Sequence, residues 1–126
     1  MMKILQPPGW ARPKGFSHGV AARGGTTVYI AGQVDLAAPG FAGQFKGALT
    51  NILAVLAEAR GRPEHIVRLT WYVIDRQEYL AALKEIGAAY RELMGGHYPV
   101  MAVVQVSGLV EERARLEIEA TAVVPD

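Results

Sequence analysis

The sequence contains no cysteine, which excludes disulfide bonds, thiolate metal sites and a cysteine nucleophile. It also has no apolar run near the roughly 20 residues that a membrane-spanning helix requires, and its first residues lack the apolar core of a signal peptide. Neither sign of charge is in excess, because 13 lysines and arginines are balanced by 12 aspartates and glutamates. We therefore predict a soluble, cytoplasmic protein whose main partner is neither a nucleic acid nor a membrane surface.

The chain is long enough to bury a substantial core, since it has 126 residues, of which 51% are hydrophobic. It has no internal repeat, low-complexity tract or linker, so we predict a single domain over residues 1–126. The residues up to about position 14 include Pro7, Pro8 and Pro13, which predicts an irregular N-terminal arm.

The rest of the chain alternates between strand-like and helix-like patterns. Gly24 and Gly25 separate two β-prone runs and predict a hairpin, while Asp75 followed by Glu78 is a capping-box pattern at the start of a helix. The predicted elements are strands at residues 16–22 and 27–33, a helix at 41–60, a strand at 65–74, a helix at 75–94, and strands at about 97–108 and 116–124. This order predicts an α/β domain in which two helices connect strands of one sheet.

The connections also predict which face of the sheet is covered. Two right-handed crossovers that proceed in the same direction place both helices on one face and leave the other uncovered. The two-residue period gives each of the last three strands one wholly apolar side, assigned to the helices, and one mixed side, assigned to the uncovered face. The uncovered face is thereby assigned Arg68, Met101, Gln105, Glu117 and Glu119. Because this face is too apolar for open water, we predict that other copies of the chain cover it.

Two carboxylates, Glu117 and Glu119, lie in an otherwise apolar final strand. Glutamate is depleted in strands and is seldom buried without a partner, so both side chains require an explanation. Each either contacts a ligand or forms an ion pair with Arg68 inside a subunit interface. Both alternatives remain open for Glu117, whereas the ion pair is the preferred interpretation for Glu119.

Four strings spread over nearly the whole chain carry a family resemblance: residues 15–20 (GFSHGV), 28–33 (VYIAGQ), 66–73 (IVRLTWYV) and 116–120 (LEIEA). Together they resemble the RidA (YjgF/YER057c/UK114) family of small enamine and imine deaminases. The resemblance implies a chorismate-mutase-like fold, that is, a mixed sheet with two helices on one face. It further implies a homotrimer whose sheets form a central barrel, with small-molecule ligands bound in clefts between the subunits.

The resemblance also implies roles for individual residues. Glu117 stands at the position of the glutamate that positions the attacking water, and Gly32 offers its backbone to the ligand. Met101 stands where an arginine anchors the substrate carboxylate, Phe16 where a tyrosine stands, and Ala31 where a serine precedes the Gly-Gln pair. A thioether cannot bind a carboxylate as the arginine fork does. The implied site therefore has Glu117 as its catalytic residue and accepts a ligand less acidic than amino-acid-derived imines. Because the spacing near this strand differs from the family pattern, Glu119 is the alternative to Glu117.

Two further residues complete the predicted substrate-binding set. His18 is a candidate acid, base or donor near neutral pH, and Gln105 is a candidate amide contact, although a structural role is an alternative for each. The three histidines do not have metal-ligand spacing, so we predict no metal, and no motif indicates a cofactor.

The sequence therefore leaves two functions open. The first is an imine or enamine deaminase in which Glu117 positions water, and the alternative is a non-catalytic trimeric binding or regulatory protein. Ribonuclease activity is associated with some members of the family, but neither a basic groove nor a histidine pair indicates it here.

Overall fold

The computed structural model describes residues 2–126. Met1, the first residue of the predicted arm, lies outside the described residues. The described elements are β1 (Met2–Leu5), β2 (Gly19–Ala22), β3 (Thr26–Gln33), α1 (Gly40–Ala57), β4 (Ile66–Val73), α2 (Arg76–Ala81), α3 (Leu83–Met94), β5 (Val100–Gln105) and β6 (Leu116–Val124).

The central sheet has the strand order β3-β6-β4-β5. β4 and β5 are parallel, whereas β6 runs antiparallel to both of its neighbours, β3 and β4. α1 connects β3 to β4, α2 and α3 connect β4 to β5, and α1 packs against β3, β6 and α3. The predicted mixed α/β sheet, with its helices on one face, is confirmed.

The core lies between α1 and the sheet. The buried positions of α1 recur every three or four residues, as a helix requires if one face is to be covered; they are Phe41, Gln44, Phe45, Ala48, Leu49, Ile52 and Leu56. Alternate residues of β4 and β6 complete the core from the sheet, among them Leu69, Trp71, Val73, Leu116 and Ile118. None of the described helices is both long and apolar enough to cross a membrane.

The predicted hairpin between residues 16–22 and 27–33 is wrong. β2 instead pairs with β1, which lies in the segment predicted to be irregular, and β3 pairs with β6. Gly24 and Gly25 do turn the chain, with φ values of 69° and 70°. However, the antiparallel ladder between β3 and β6 is longer and places Ile30 in the core. β3 therefore pairs with β6 and not with β2, the strand that precedes it in the sequence.

The second predicted helix is interrupted at Ala82, which separates α2 from α3. Its beginning is partly as predicted, because the Asp75 side chain accepts a hydrogen bond from the Gln77 N–H at 2.8 Å. Glu78 forms an ion pair with Arg115 at 2.5 Å, and this interaction takes the place of the predicted second half of the capping box.

The faces of β5 differ from the prediction. In the parallel ladder, Leu69 lies opposite Met101 and Val73 lies opposite Gln105. Neighbouring partners share a face of a sheet, and Leu69 and Val73 are fully buried in the core on the helix side. Met101 also packs against this core. The prediction that Met101 and Gln105 share the uncovered face with Glu117 is therefore wrong.

This difference has a simple physical reason. β5 is largely apolar on both sides, with Val100, Ala102 and Val104 on one side and Met101 and Val103 on the other. Alternation identifies the core face only where the opposite side is clearly polar. Met101 and Val103 fill space beside the helices, and the wholly apolar side faces away from them.

Two glycines one turn apart in α1 give opposite predictions. A β-carbon on Gly47 would lie 1.9 Å from Asp35 Oδ2 and 2.5 Å from Asp35 Cβ, whereas one on Gly43 would meet only Ala38 Cβ at 3.4 Å. Alanine is favoured over glycine inside a helix by about 0.5–1 kcal/mol, and overpacking costs about 1–3 kcal/mol. In urea denaturation we expect Gly43→Ala to raise the free energy of unfolding and Gly47→Ala to lower it. Equal shifts for the two variants would contradict the packing of Asp35 against α1.

Candidate functional site

The carboxylates of β6 lie on the face of the sheet that the helices leave uncovered. We call this face the outer face; it carries Tyr29 of β3, Arg68 and Tyr72 of β4, and Glu117 and Glu119 of β6. In β6, buried and less buried residues alternate, so that Glu117 is half-buried and Glu119 is exposed. The prediction that both carboxylates lie on the uncovered face is confirmed.

Glu117 projects over a gap left by Gly32. The β3–β6 ladder shifts register between Ile30 and Gln33, so Gly32 belongs to an irregularity of the bulge type. A β-carbon on Gly32 would lie 2.0 Å from Glu117 Oε2, and therefore only glycine leaves room for this carboxylate. Within residues 2–126, Glu117 forms neither an ion pair nor a side-chain hydrogen bond. Its carboxylate is thus positioned by close packing and remains available to a ligand or to water.

Glu119 has a partner on the outer face. The Tyr72 hydroxyl donates a hydrogen bond to Glu119 Oε1 at 2.5 Å, and this bond is the main cause that raises the pKa of Tyr72. Arg68 lies opposite Thr121 in the ladder and pairs with neither glutamate within the described chain. An ion pair between Arg68 and a glutamate of another subunit stays a prediction.

Met101 and Phe16 line a cavity of about 360 Å³ on the opposite side of the sheet. We call it the Met101 cavity; its lining residues are Lys14, Gly15, Phe16, Trp71, Tyr79, Leu83, Ile86, Gly87, Tyr90, Met101 and Val103. The segment before β2 brings Phe16 to this position, because the Ser17 N–H donates to the Pro99 carbonyl at 3.1 Å and the Ser17 hydroxyl donates to the Tyr98 carbonyl. The structure thereby joins two predicted ligand-binding residues that are far apart in sequence.

Trp71 forms part of the wall of this cavity. Its indole stacks on Phe45, with ring centroids 4.6 Å apart, and meets the edge of Tyr79 at 5.5 Å. Trp71 is only 2% exposed, and its Nε1 has no hydrogen-bond partner within residues 2–126. The Tyr90 hydroxyl, by contrast, donates to the His97 carbonyl at 2.7 Å, while burial raises the pKa of both Tyr79 and Tyr90.

The remaining predicted site residues have structural partners. His18 is exposed and packs edge-to-face against Trp10 and Phe16, at centroid distances of 5.0 and 5.6 Å, and it does not line the Met101 cavity. Gln105 Oε1 accepts a hydrogen bond from the Arg76 N–H at 2.8 Å at the start of α2. For Gln105 the structural alternative is therefore the one observed.

The predicted set is thus divided between the two faces of the sheet. Gly32 and Glu117 meet on the outer face and Ala31 is the exposed residue before Gly32 in β3, whereas Phe16 and Met101 line the Met101 cavity. The alternation in β4 predicts that Trp71 lies on the apolar side of its strand, but it does not indicate the unpartnered N–H. That property depends on which atoms of other elements reach the indole, and no local pattern encodes it. Among residues 2–126, no three ligand-type side chains converge as they would around a metal ion.

A larger cavity, of about 620 Å³, lies where α1 begins and β4 ends. Three of its polar residues are connected to one another or to the backbone: Arg115 pairs with Glu78 at 2.5 Å, and Gln44 accepts from the Arg115 N–H at 2.8 Å and donates to the Arg113 carbonyl at 3.1 Å. None of the predicted site residues lines this cavity. We therefore assign the candidate functional site to the outer face and the Met101 cavity.

Comparison with known proteins identifies the family. The family model described as Endoribonuclease L-PSP matches residues 10–124. The chain is similar to the structure of YyfB from Yersinia pestis, described as a protein of unknown function of the conserved Rid protein family, with 30% identity, 98% of each chain covered and a TM-score of 0.84. It is also similar to Rv2704 from Mycobacterium tuberculosis, a member of the YjgF/YER057c/UK114 family, with 31% identity, 88% of each chain covered and a TM-score of 0.68.

A third structure, NMB1025 of the YjgF protein family from Neisseria meningitidis, shares the fold at 23% identity, with 100% of this chain and 97% of that chain covered and a TM-score of 0.67. None of the curated proteins matches the chain significantly. The family model spans most of the chain, and the two solved structures at 30% and 31% identity are described as members of the Rid protein family and of the YjgF/YER057c/UK114 family, respectively. The chain therefore belongs to the Rid family, also called the YjgF/YER057c/UK114 family.

Proposed function

We propose that the chain is a small-molecule-binding protein of the RidA type that hydrolyses imines or enamines, with Glu117 positioning the attacking water. The observation that carries the proposal is the Glu117 carboxylate, which projects over Gly32 and has no ion pair or hydrogen-bond partner within residues 2–126. A half-buried carboxylate without a protein partner is suited to accept a hydrogen bond from water or from a ligand.

The chemistry requires one general base beside an electrophilic carbon. Water adds to the carbon of the protonated C=N bond while Glu117 accepts one of its protons, and the resulting neutral carbinolamine carries a hydroxyl and an amino group. Glu117 returns this proton to the nitrogen, and the C–N bond breaks as the hydroxyl oxygen forms the C=O bond and gives its proton to the departing ammonia. A carbonyl compound and an ammonium ion leave. An enamine reaches the same path after protonation of its carbon. We assign the orientation of the reacting group to the Gly32 backbone, which belongs to the irregular part of β3 beside the Glu117 carboxylate.

We further propose that the protein is a homotrimer in which other subunits cover the outer face. The support is the exposure of large side chains on the outer face of the sheet: in the single chain Tyr29 of β3 is 80% exposed and Val104 of β5 is 42% exposed. Exposed apolar surface on a sheet face is typical of an interface. In such an assembly the ligand cleft would lie between subunits, and Glu117 would face a neighbouring chain.

One observation favours the second candidate, a non-catalytic trimeric binding or regulatory protein. Met101 and Glu117 lie on opposite faces of the sheet, so one small ligand cannot contact both side chains of the same subunit. A molecule held beside Phe16 and Met101 would then be bound without being exposed to the carboxylate of that chain.

We do not extend the ribonuclease activity in the name of the matched family to this chain. His65 Nδ1 accepts a hydrogen bond from the Arg62 N–H at 2.9 Å, His97 Nε2 lies 2.6 Å from the Ile66 carbonyl, and His18 packs between aromatic rings. The three histidines thus lie in separate environments, unlike a paired acid and base.

Two measurements on the wild-type protein test the proposal. We expect sedimentation at micromolar concentration to give about three times the 13.6 kDa mass of the chain. We also expect ammonia release from 2-aminoacrylate and short imino acids above the rate in buffer, but below that of relatives with an arginine in place of Met101. A monomer would contradict the interface, and release at the buffer rate would favour the non-catalytic candidate. Activity equal to that of the arginine-bearing relatives would contradict the role assigned to Met101.

A further inference from the structure

The Met101 cavity has an apolar interior and no acidic residue in its wall. Apart from Lys14 and two glycines, its lining residues have aromatic or aliphatic side chains. Tyr79 and Tyr90 are neutral at neutral pH, since burial raises the pKa of both. The volume of about 360 Å³ lies at the lower end of the range usual for small-molecule sites. The interior is therefore suited to a compact apolar group.

Gly87 leaves a gap in the wall that α3 contributes to this cavity. The four lining residues of α3 have the spacing of a single helix face; they are Leu83, Ile86, Gly87 and Tyr90. Beyond the backbone of its own helix, a β-carbon on Gly87 would meet only Arg91 Nη1, at 3.3 Å. The Arg91 guanidinium therefore lies beside the one position of this face that has no side chain.

Two cations border the cavity. Lys14 is a lining residue, and Arg91 lies next to the lining residue Gly87. Both cations are exposed in the single chain, and neither forms an ion pair or a side-chain hydrogen bond within residues 2–126. The positions of α3 that neighbour Gly87 and Arg91 on the helix surface are Lys84 and Ala88, which add no negative charge. The border of the cavity thus offers unpaired positive charge.

This distribution of charge is suited to an anion with an apolar body. Arginine binds a carboxylate through two parallel N–H groups, and lysine binds it as a point charge. Because Arg91 and Lys14 are exposed, a carboxylate between them would keep part of its hydration at the mouth of the cavity. In the apolar interior, beside Met101, the same charge would lose its hydration without a counter-charge.

We infer that the Met101 cavity binds a carboxylate with an aromatic or branched apolar body, and that Arg91 and Lys14 hold the carboxylate at its mouth. These two residues would then determine specificity in place of an arginine at position 101. The inference rests on the part of the proposed function that assigns a ligand to Phe16 and Met101, and it does not require hydrolysis at Glu117. It replaces the less acidic ligand that Met101 alone predicts.

Three unreactive probes test the inference: 3-phenylpropionate, its amide, which lacks the charge, and propionate, which lacks the aromatic body. The chain has four methionines, and Met101→Leu assigns the Met101 methyl signal in ¹H–¹³C spectra of the full chain. We expect 3-phenylpropionate to shift this signal in a saturable manner and to bind about tenfold more tightly than the amide at low salt, as two exposed ion pairs would provide.

Added salt is expected to reduce this preference, because exposed ion pairs are screened. An unmoved Met101 signal, or equal affinities for the acid and the amide, would overturn the inference. Propionate that binds as tightly as 3-phenylpropionate would overturn the assignment of the apolar body to the cavity.

Variants test the two cations separately. We expect Arg91→Gln and Lys14→Gln each to lower the preference for the acid over the amide by about threefold, and the double variant to abolish it. Arg60→Gln is the charge-matched control, because Arg60 is also exposed but does not line the cavity. A preference that survives in the double variant, or that falls equally in Arg60→Gln, would overturn the assignment of Arg91 and Lys14.

The outcome is distinguishable from that of the proposed hydrolysis, because the three probes have no C=N bond and their binding involves no chemical step. A protein that binds 3-phenylpropionate through the two cations but releases no ammonia from imines would retain the inference and reject the enzyme. The converse result would reject the inference alone.

Discussion

Replacing Glu117 with glutamine is expected to lower imine hydrolysis by about a hundredfold to ten-thousandfold, the usual contribution of a positioned general base. Glutamine has nearly the same shape as glutamate, so it fits over Gly32 without new contacts, but it cannot accept a proton from water. Glu117 has no ion pair within residues 2–126, and the substitution therefore removes no structural interaction of the single chain. Ammonia release from 2-aminoacrylate, measured together with sedimentation, tests this expectation.

A second variant displaces the carboxylate without removing it. A β-carbon on Gly32 would meet Glu117 at the Oε2, Cδ and Cγ atoms, at distances of 2.0 to 2.8 Å. Gly32 does not have a positive φ, so its backbone accepts alanine. We expect Gly32→Ala to lower hydrolysis nearly as much as Glu117→Gln does. Gly96→Ala is the matched control, because a β-carbon there would meet nothing within 4 Å.

The remaining outcomes identify other roles for the outer-face carboxylates. If Glu119→Gln lowers hydrolysis and Glu117→Gln does not, Glu119 is the base and the hydrogen bond from Tyr72 positions it. If Glu117→Gln dissociates the trimer, Glu117 is part of an ion pair between subunits, as the structural interpretation of the sequence requires. Full activity in both Glu117→Gln and Gly32→Ala would exclude the mechanism.

The sequence predicts those parts of the fold in which the hydrophobic residues clearly follow either the period of a helix or the two-residue period of a strand. Helical spacing in α1 and alternation in β6 both coincide with the observed burial, and Glu117 is correctly assigned to the outer face because apolar Ile118 follows it. The pairing of β3 could not be predicted in the same way. Two glycines and a short connection favour a hairpin, whereas the observed partner, β6, follows more than 80 residues later and is selected by the core that it helps to bury.

The candidate site was less predictable than the fold, because it depends on distances between elements. Ala31-Gly32 indicated that something approaches the backbone closely, but not that the Glu117 side chain does so. The predicted face of Met101 is wrong because both sides of β5 are apolar. The unpartnered N–H of Trp71 follows from packing among α1, α2 and β4, which no run of neighbouring residues specifies.

Replacing Phe45 with alanine is expected to give a large loss of stability. Phe45 is fully buried, and its ring stacks on Trp71 with centroids 4.6 Å apart and planes 17° apart. Removing a buried phenylalanine ring costs about 3–5 kcal/mol through lost transfer free energy and the cavity left behind, and the aromatic pair contributes about 0.5–1.5 kcal/mol beyond burial. We therefore expect Phe45→Ala to lower the midpoint of urea denaturation strongly, with little change in its slope.

Val55→Ala is the control on the same helix, because Val55 is 42% exposed and its truncation removes little buried surface. Its expected change in the free energy of unfolding is within about 0.5 kcal/mol. Phe45→Leu is expected to fall between the two, since it retains the apolar volume in part but not the stacking on Trp71. A loss below about 1 kcal/mol for Phe45→Ala would contradict the packing of α1 on β4. Trp71 both stacks on Phe45 and lines the Met101 cavity. If both Phe45 variants lose stability as expected and the NMR signal of the Trp71 indole N–H also shifts, the packing of α1 on β4 helps to set the geometry of this cavity.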